Sequence, residues 1–527
     1  MGLVAGLQQA RSLTLEISPE LRLVLVIIFF NSYKYFTLAS ALTLFATDEY
    51  GLSDVKAGEL YGLWGLLHAV WGFAGSFAID RFGIRAVAIV ATTFGVLSRG
   101  LLVFTHSVPI LYFVLCGLGP LAEGICDPLY MVAIKKLTRR RVRAFAFAAQ
   151  YAFMNLGGAF GLNLLDVLRQ HSYTMPWGEE FSGLRFTLLT TWFAALVCWL
   201  LACRLSRVPV TQVAAHWSPG FEANAFNQAS SAGYVALLHP SPDASPCQSP
   251  RSPPASLIDT CADFELHMEA TQVEHRKIAG PEEKVKEPQA LSTVSSSLRD
   301  ALELLHDDAF QRATALTTAV LFVSLQWKYM DTLLPKFVER TFNAQCPWAS
   351  IYSINSWMCV FCPPLISAFM TTDRIDDLTI ILLGLWIMAL SPVAIALHLS
   401  EASTAAWIFL LSVGEVIWSP RSQSFIASLA PEGREGAFLA MAGLPTFISQ
   451  YPVGIISGWL LDTYCPACPQ AHNSACAMHD PHWQSNPQVM WLIVAGSSTL
   501  SPVLVAVLSG YFRGGACSNV RSEVDMS

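Results

Sequence analysis

Charge is scarce in this chain. Only 13% of its 527 residues are Asp, Glu, Lys or Arg, against 53% hydrophobic, and the mean hydropathy is +0.44. That balance excludes an ordinary soluble domain. No Gly-rich phosphate loop, nucleophile elbow or metalloprotease spacing is present, which argues against an enzyme and leaves no cofactor to expect. A basic surface interleaved with aromatics is lacking as well, so nucleic acid is not an expected partner. Most of the net charge of −7 lies in the central linker and exposed loops. Glu16 and Glu20 precede the first apolar segment, which has no short apolar core followed by a small-residue cleavage site. No signal-peptide cleavage is therefore expected.

Long apolar runs are what the chain has instead. About 20 predominantly apolar residues cross a hydrocarbon core. Twelve segments qualify: 21–46, 56–79, 84–106, 108–134, 144–168, 183–206, 312–338, 349–372, 378–398, 404–428, 437–461 and 487–512. The expected fold is an all-α membrane protein of twelve transmembrane helices, with the lipid bilayer as its surroundings. Lys and Arg are retained on the cytoplasmic side, and Arg81, Arg85, Lys135, Lys136, Arg139, Arg140, Arg141 and Arg143 all follow even-numbered spans. Those loops and both termini are expected in the cytoplasm, in a plasma membrane or an endomembrane.

Residues 207–300 break the apolar pattern. They carry Ser-Pro at Ser241, Ser245, Ser249 and Ser252, then the run Glu282-Glu283-Lys284-Val285-Lys286-Glu287. Such a segment buries too little apolar surface to offset its ordering entropy, and a disordered linker is expected. It separates a bundle at 21–206, behind a tail at 1–20, from a second at 301–512, before a tail at 513–527. The stretch from Ser297 to Leu305 reads as an amphipathic helix leading into the second bundle. The bundles match each other at a nearly constant offset. Lys34 and Lys328 differ by 294, Asp80-Arg81 and Asp373-Arg374 by 293, and Glu123-x-Ile125-x-x-Pro128 and Glu415-x-Ile417-x-x-Pro420 by 292. This is a duplicated six-helix unit, a 6+6 parallel repeat in which both copies start on the same side.

This organisation resembles the major facilitator superfamily. That family carries Gly-x-x-x-Asp-Arg-x-Gly-x-Arg/Lys between spans two and three, where this chain reads Ser76-Phe77-Ala78-Ile79-Asp80-Arg81-Phe82-Gly83-Ile84-Arg85. The resemblance implies a gating role for Asp80, Arg81 and Arg85. Two further stretches are similar to the proton-dependent oligopeptide transporters. One is Gly414-Glu415-Val416-Ile417-Trp418-Ser419-Pro420, continuing to Leu429-Ala430-Pro431; the other is Thr47-Asp48-x-x-Gly51-Leu52-Ser53-Asp54, followed by Ala57 and Leu60-Tyr61-Gly62. The chain departs from that branch in two places. The branch's Glu-x-x-Glu-Arg motif falls on Ile28-Phe29-Phe30-Asn31-Ser32, where nothing titrates, and its span-four Ile-Lys-Pro falls on Ile125-Cys126-Asp127-Pro128.

Parallel repeats of this kind place a substrate site at the bilayer midplane between the halves. Lys34 in Tyr33-Lys34-Tyr35, Lys328 in Trp327-Lys328-Tyr329, Glu123 and Glu415 all fall near mid-span. A charge at that depth must be paired or wet, so a functional site is the default reading. The candidate substrate-binding set is Lys34, Lys328, Glu415, Tyr35, Tyr329, Glu123, Asn31 and Trp418, with Tyr33, Trp327 and Gln326 beside them. In it the lysines take an anionic group, while Glu415 takes an amine or the coupling proton. The alternative is that Lys34–Glu123 and Lys328–Glu415 are structural ion pairs. Asp127 follows Glu123 by four residues on one helical face, so Glu123, Asp127 and Glu415 are the proton-coupling candidates. Asp127 could instead pair with Lys135 or Arg139. His68 and Arg99, single and without spacing partners, are expected to be satisfied by neighbours. Pro128, Pro363-Pro364, Pro420, Pro445, Pro452 and Gly157-Gly158 interrupt spans, where they either permit rocking or serve close packing.

Of 13 cysteines, Cys346, Cys465, Cys468 and Cys476 fall in loops expected outside the cytoplasm, and these are disulfide candidates. Cys465-x-x-Cys468 with His472, His479 and His482 admits a zinc reading, but no second close cysteine pair supports it, and no metal is expected. Together these features imply a monomeric secondary active or facilitative transporter. Its substrate is a small molecule, an amino acid or short peptide, moved by alternating access and possible proton symport. The alternatives are an organic-anion transporter using Lys34 and Lys328, and a transporter-like solute receptor.

Overall fold

The computed structural model describes residues 17–138, 140–206, 306–342, 345–369, 376–429, 445, 448–467 and 485–513. The expected linker, the 297–305 helix, Cys468 and Cys476 lie outside them. Each of the twelve expected spans is mainly helical over its described part.

Span one is α1 (Pro19–Asp48), started by Ser18, whose hydroxyl accepts from Leu21 N at 3.2 Å. Ser53 caps α2 (Asp54–Phe82) in the same way. Gly83, at φ 78°, turns directly into α3 (Ile84–Phe104). A positive φ favours glycine, which gives the Asp-Arg-x-Gly pattern a local reason. Span four holds α4 (Val108–Phe113), a π-turn (Val114–Leu118) and α5 (Gly119–Leu137). The π-turn rephases the helix just ahead of Glu123. Then come α6 (Arg140–Leu168), a short hairpin pairing β1 (Tyr173–Thr174) with β2 (Glu180–Phe181), and α7 (Gly183–Arg204).

Span seven is broken into α8 (Asp308–Ala319), α9 (Leu321–Thr332) and α10 (Leu334–Thr341). The last break comes just before Pro335, which cannot donate to the preceding turn. Span eight is α11 (Trp348–Phe369); span nine is split at Ser391-Pro392 into α12 (Asp377–Leu390) and α13 (Val393–Leu397). Spans ten, eleven and twelve contribute α14 (Glu401–Leu429), α15 (Gln450–Tyr464) and α16 (Pro487–Val507). Seven of these helical stretches are long and apolar enough by themselves to cross a membrane. Large side chains such as Val90, Phe193, Leu383 and Val507 stay exposed, as suits a surface solvated by lipid tails.

The two six-helix units meet through α2 against α15 and α6 against α11. Small residues allow the first contact: a Cβ on Gly58 would fall 2.1 Å from Gly454 O, and the reverse holds for Gly454 and Gly58 O. These crossings bring the loops after spans one, five, seven and eleven together at one end of the bundle, called here the odd-loop end. Span interiors then converge midway between the units.

Candidate functional site

In the first unit, three spans bury a charge cluster. Arg99 of α3 donates through Nη2 to Glu123 Oε1 of α5, and Lys34 Nζ of α1 lies 3.8 Å from the same oxygen. All three side chains are 3% exposed or less. One turn further along α5, Asp127 Oδ2 bonds His68 Nε2 of α2 at 2.8 Å, and the Asp127 side chain is 65% exposed. Asp127 lies ten residues from the end of α5, about 15 Å along the helix, which is mid-membrane. An exposed carboxylate there must face water rather than lipid, so it marks a wet cavity. Tyr35 lines that region, stacked on Trp64 at 5.2 Å and edge-on to His68 at 5.7 Å.

The second unit is arranged differently. Glu415 of α14 makes no ion pair among the described residues. Its Oε2 accepts from Asn355 Nδ2 at 2.8 Å and from Trp327 Nε1 at 3.0 Å, and the Cys359 thiol reaches Oε1 at 3.8 Å. Trp327 stacks on Trp418, with ring centroids 6.0 Å apart. Lys328 is half-buried and its ammonium has no hydrogen-bond or ion-pair partner among the described residues. Three residues on, Asp331 is buried and accepts from Tyr61 Oη of α2 at 2.5 Å and from Tyr352 Oη of α11 at 2.8 Å. That carboxylate therefore ties three spans and both units together.

The odd-loop end is held by charges from both units. Asp54, the first residue of α2, takes Lys336 Nζ at 2.8 Å and Arg340 Nη1 at 2.8 Å. Those two cations hold its carboxyl below the ordinary range in spite of burial. Arg169, just past α6, donates to Glu339 Oε1 at 2.7 Å and to Cys346 O. Asp166 of α6 accepts from the backbone N–H groups of Ala349 and Ser350 in the first turn of α11, so one unit caps a helix of the other. Glu339 also receives Trp348 Nε1 at 3.1 Å. Burial outweighs Arg169 there and pushes the Glu339 carboxyl up to about 7.

Placed against the sequence, the expected set divides. Lys34 and Glu123 do pair, with Arg99 as a third member that the sequence had set aside. Lys328 and Glu415 do not pair. Asp127 pairs with His68 rather than with Lys135, and Arg139 lies outside the described residues. Asn31 is buried beside Lys34 on α1. Tyr329 and Trp418 sit within the apolar core of the second unit, and Trp418 donates to Met388 Sδ at 3.2 Å. Of the gating residues, Arg81 is exposed over the Phe82 ring and Arg85 donates to Cys203 O at 3.1 Å; the Asp80 side chain is outside the described set. Cys346 and Cys465, each buried at the odd-loop end, are not bonded to one another, and the other two disulfide candidates, Cys468 and Cys476, lie outside the described residues. Sequence reasoning missed Asp331, Tyr61, Tyr352 and Asn355. A carboxylate at Asp331, deep in an apolar span, was signal enough for the first.

The major facilitator superfamily model matches residues 24–450. The chain belongs to the major facilitator superfamily. Its members are membrane transporters rather than enzymes, so this chain is an integral multi-pass membrane protein that moves small solutes. Solved structures share the fold of this major facilitator protein over nearly its whole length. One, from work on substrate recognition in proton dependent oligopeptide transporters, is 14% identical with a TM-score of 0.62, covering 94% of this chain and 98% of its own. An auto-inhibited POT family peptide transporter is 14% identical at 0.60, covering 93% and 97%. A POT family transporter in complex with 5-aminolevulinic acid is 13% identical at 0.59, covering 94% and 96%. Comparison with curated protein sequences finds no match.

Proposed function

We propose that this major facilitator protein carries a small zwitterion, an amino acid or short peptide, by alternating access coupled to protons. The observation that carries the reading is the contrast between the two mid-membrane lysines. Lys34 is held inside its own unit beside Glu123, which Arg99 shares, whereas Lys328, in the region where the units converge, has no hydrogen-bond or ion-pair partner among the described residues. A solute carboxylate is the natural partner of that ammonium. Glu415, held in place by Asn355 and Trp327, then receives the solute amine, and Asp127 offers a second, water-exposed acid. The burial of Lys34 against Glu123 within its own unit counts against a two-lysine organic-anion site.

Asp331 is the favoured proton carrier, with Asp127 second. Asp331 joins both units through Tyr61 and Tyr352, so its charge state acts on the contact between them. The fixed Arg99 and Lys34 contacts disfavour Glu123 in that role. Closure by Asp54 and Arg169 at the odd-loop end supports alternating access, with the basic even-numbered loops and both termini cytoplasmic. In this reading Arg81 and Arg85 belong to the opposite gate. Both units build the site within one chain, so a monomer suffices.

Flux into vesicles tests the proposal. Purified protein in liposomes should accumulate labelled amino acids or short peptides under an inward acid gradient. Binding without equilibration across the vesicle would make it a receptor, and uptake of organic anions alone would reassign the site.

A further inference from the structure

Tyr33, the first residue of the Tyr33-Lys34-Tyr35 triplet, turns away from the charge cluster and towards span six. Its hydroxyl meets Thr190 Oγ1 of α7 at 2.6 Å. That threonine donates to Thr187 O, so the phenol is the donor of the pair. Both residues lie on the wall of a groove of about 530 Å³ between α1, α6 and α7, a volume within the roughly 300–1,000 Å³ of ordinary ligand sites. Phe160, Leu164 and Val167 of α6 and Phe193 of α7 form its rim and are 37–63% exposed. Large exposed apolar side chains on a membrane-spanning unit face lipid tails, so the groove opens sideways into the bilayer. Tyr33 and Phe193 lie at the midpoints of α1 and α7, which sets the groove in the hydrocarbon rather than among headgroups. Tyr35, two residues on, projects from the other side of α1, and the helix separates the groove from the wet cavity.

We propose that this groove seats one fatty acyl chain of a bilayer phospholipid, recognised by its tail and not by its headgroup. No lining residue is an acid or a base. The polar ones already have partners: Tyr33 and Thr190 hold each other, and Asn163 Nδ2 donates to Ala159 O at 2.7 Å and to Ser353 Oγ at 3.0 Å. A polar solute therefore gains nothing there. A sterol keeps its hydroxyl at headgroup level, whereas this groove sits mid-bilayer. A partner helix needs small residues for close approach, and the rim offers Phe and branched aliphatic side chains instead. A flexible hydrocarbon chain fits such walls without leaving any polar group unpaired. The seated chain also braces the contact between the units, because the Phe160 ring lies 6.1 Å from that of Trp357 on α11 and Asn163 holds Ser353 of the same helix.

The test needs no transport. Thermal unfolding of the purified full-length protein is followed in a fluorinated surfactant, whose chains mix poorly with hydrocarbon, while phospholipid is titrated in. With dioleoyl phosphatidylcholine or dioleoyl phosphatidylglycerol the melting temperature should rise and saturate at about one lipid per chain, as for a ligand that binds only the folded state, with the same midpoint for both headgroups. Leu164→Trp fills the groove from a partly exposed position, and Val167→Trp fills it from further along the same rim. Each should melt no lower than lipid-free wild type and lose the saturable shift. Leu383→Trp, the same change on the exposed face of the second unit, should keep it. A wild-type melting temperature indifferent to phospholipid, a shift that survives either groove-filling tryptophan, a shift that follows the headgroup, or one given by cholesterol and not by phospholipid overturns the assignment. So does a wild-type dimer in light scattering that Leu164→Trp dissociates. None of these results bears on whether the protein transports a zwitterion.

Discussion

Tyr61 Oη donates to Asp331 Oδ2 at 2.5 Å, joining span two of one unit to span seven of the other. A carboxylate that accepts from tyrosines in both units changes the grip between them when it gains a proton. Asp331→Asn keeps an acceptor for Tyr61 and mimics the protonated acid. Exchange of solute across vesicles should persist while accumulation driven by a pH gradient is lost; unaltered gradient-driven uptake would remove Asp331 from the coupling scheme.

Arg99→Leu leaves Glu123 with Lys34 alone at 3.8 Å. Removing one partner of a buried charge set costs about 3–5 kcal/mol, whereas loss of the exposed Arg81 should stay within about 0.5 kcal/mol. Denaturant or thermal midpoints of the two variants check the contrast, and equal midpoints would mean that Arg99 is not a bearing element of the first unit.

Asp54→Asn deprives Lys336 and Arg340 of their shared carboxylate. Lys336 is then a buried ammonium at 1% exposure with no counter-charge, and the closed odd-loop end should lose population. Cys346 and Cys465 report this directly. Burial pushes their thiols up to about 12 and about 11, so neither reacts readily while covered. A membrane-impermeant maleimide should label Asp54→Asn faster than wild type by tenfold or more, for about 1.4 kcal/mol of bias. Equal labelling would place the closure elsewhere.

Glu339 gives a pH signature. Its carboxyl is pushed from the ordinary 4.5 up to about 7, first by burial, against the opposing pull of Arg169. A group whose pKa is raised on folding contributes stability that is full below its unfolded value and is lost as pH rises through its folded value. The term contributed by Glu339 should therefore fade between about pH 4.5 and 7 and be gone above that. Melting temperatures of wild type relative to Glu339→Gln should fall across this window, and a constant difference from pH 5 to 8.5 would contradict the assignment.

The spans were legible because runs of some twenty apolar residues have few other uses, and the superfamily because the motif after span two and the repeat offset survive in the residues. The fate of the two lysines was not legible, since the repeat treats them alike. Adding the offset of 292–294 to Arg99 lands on Ser391, Pro392 and Val393, so the second unit has no third-span cation and its Glu415 turns to an amide and an indole instead. Asp331 escaped notice for the converse reason: subtracting 294 gives Thr37, and a search guided by matched pairs passes over it. Closure of the odd-loop end joins partners 170 and 286 residues apart at ordinary span ends. No spacing rule connects such residues before the chain is folded.

The most direct test of a zwitterion site between the units is uptake of a labelled dipeptide by liposomes carrying wild type or Lys328→Ala, with the melting temperature of each measured in parallel. Wild type should concentrate the peptide under an inward acid gradient, and Lys328→Ala should melt like wild type yet show no uptake. Transport by Lys328→Ala at the wild-type rate would contradict the account.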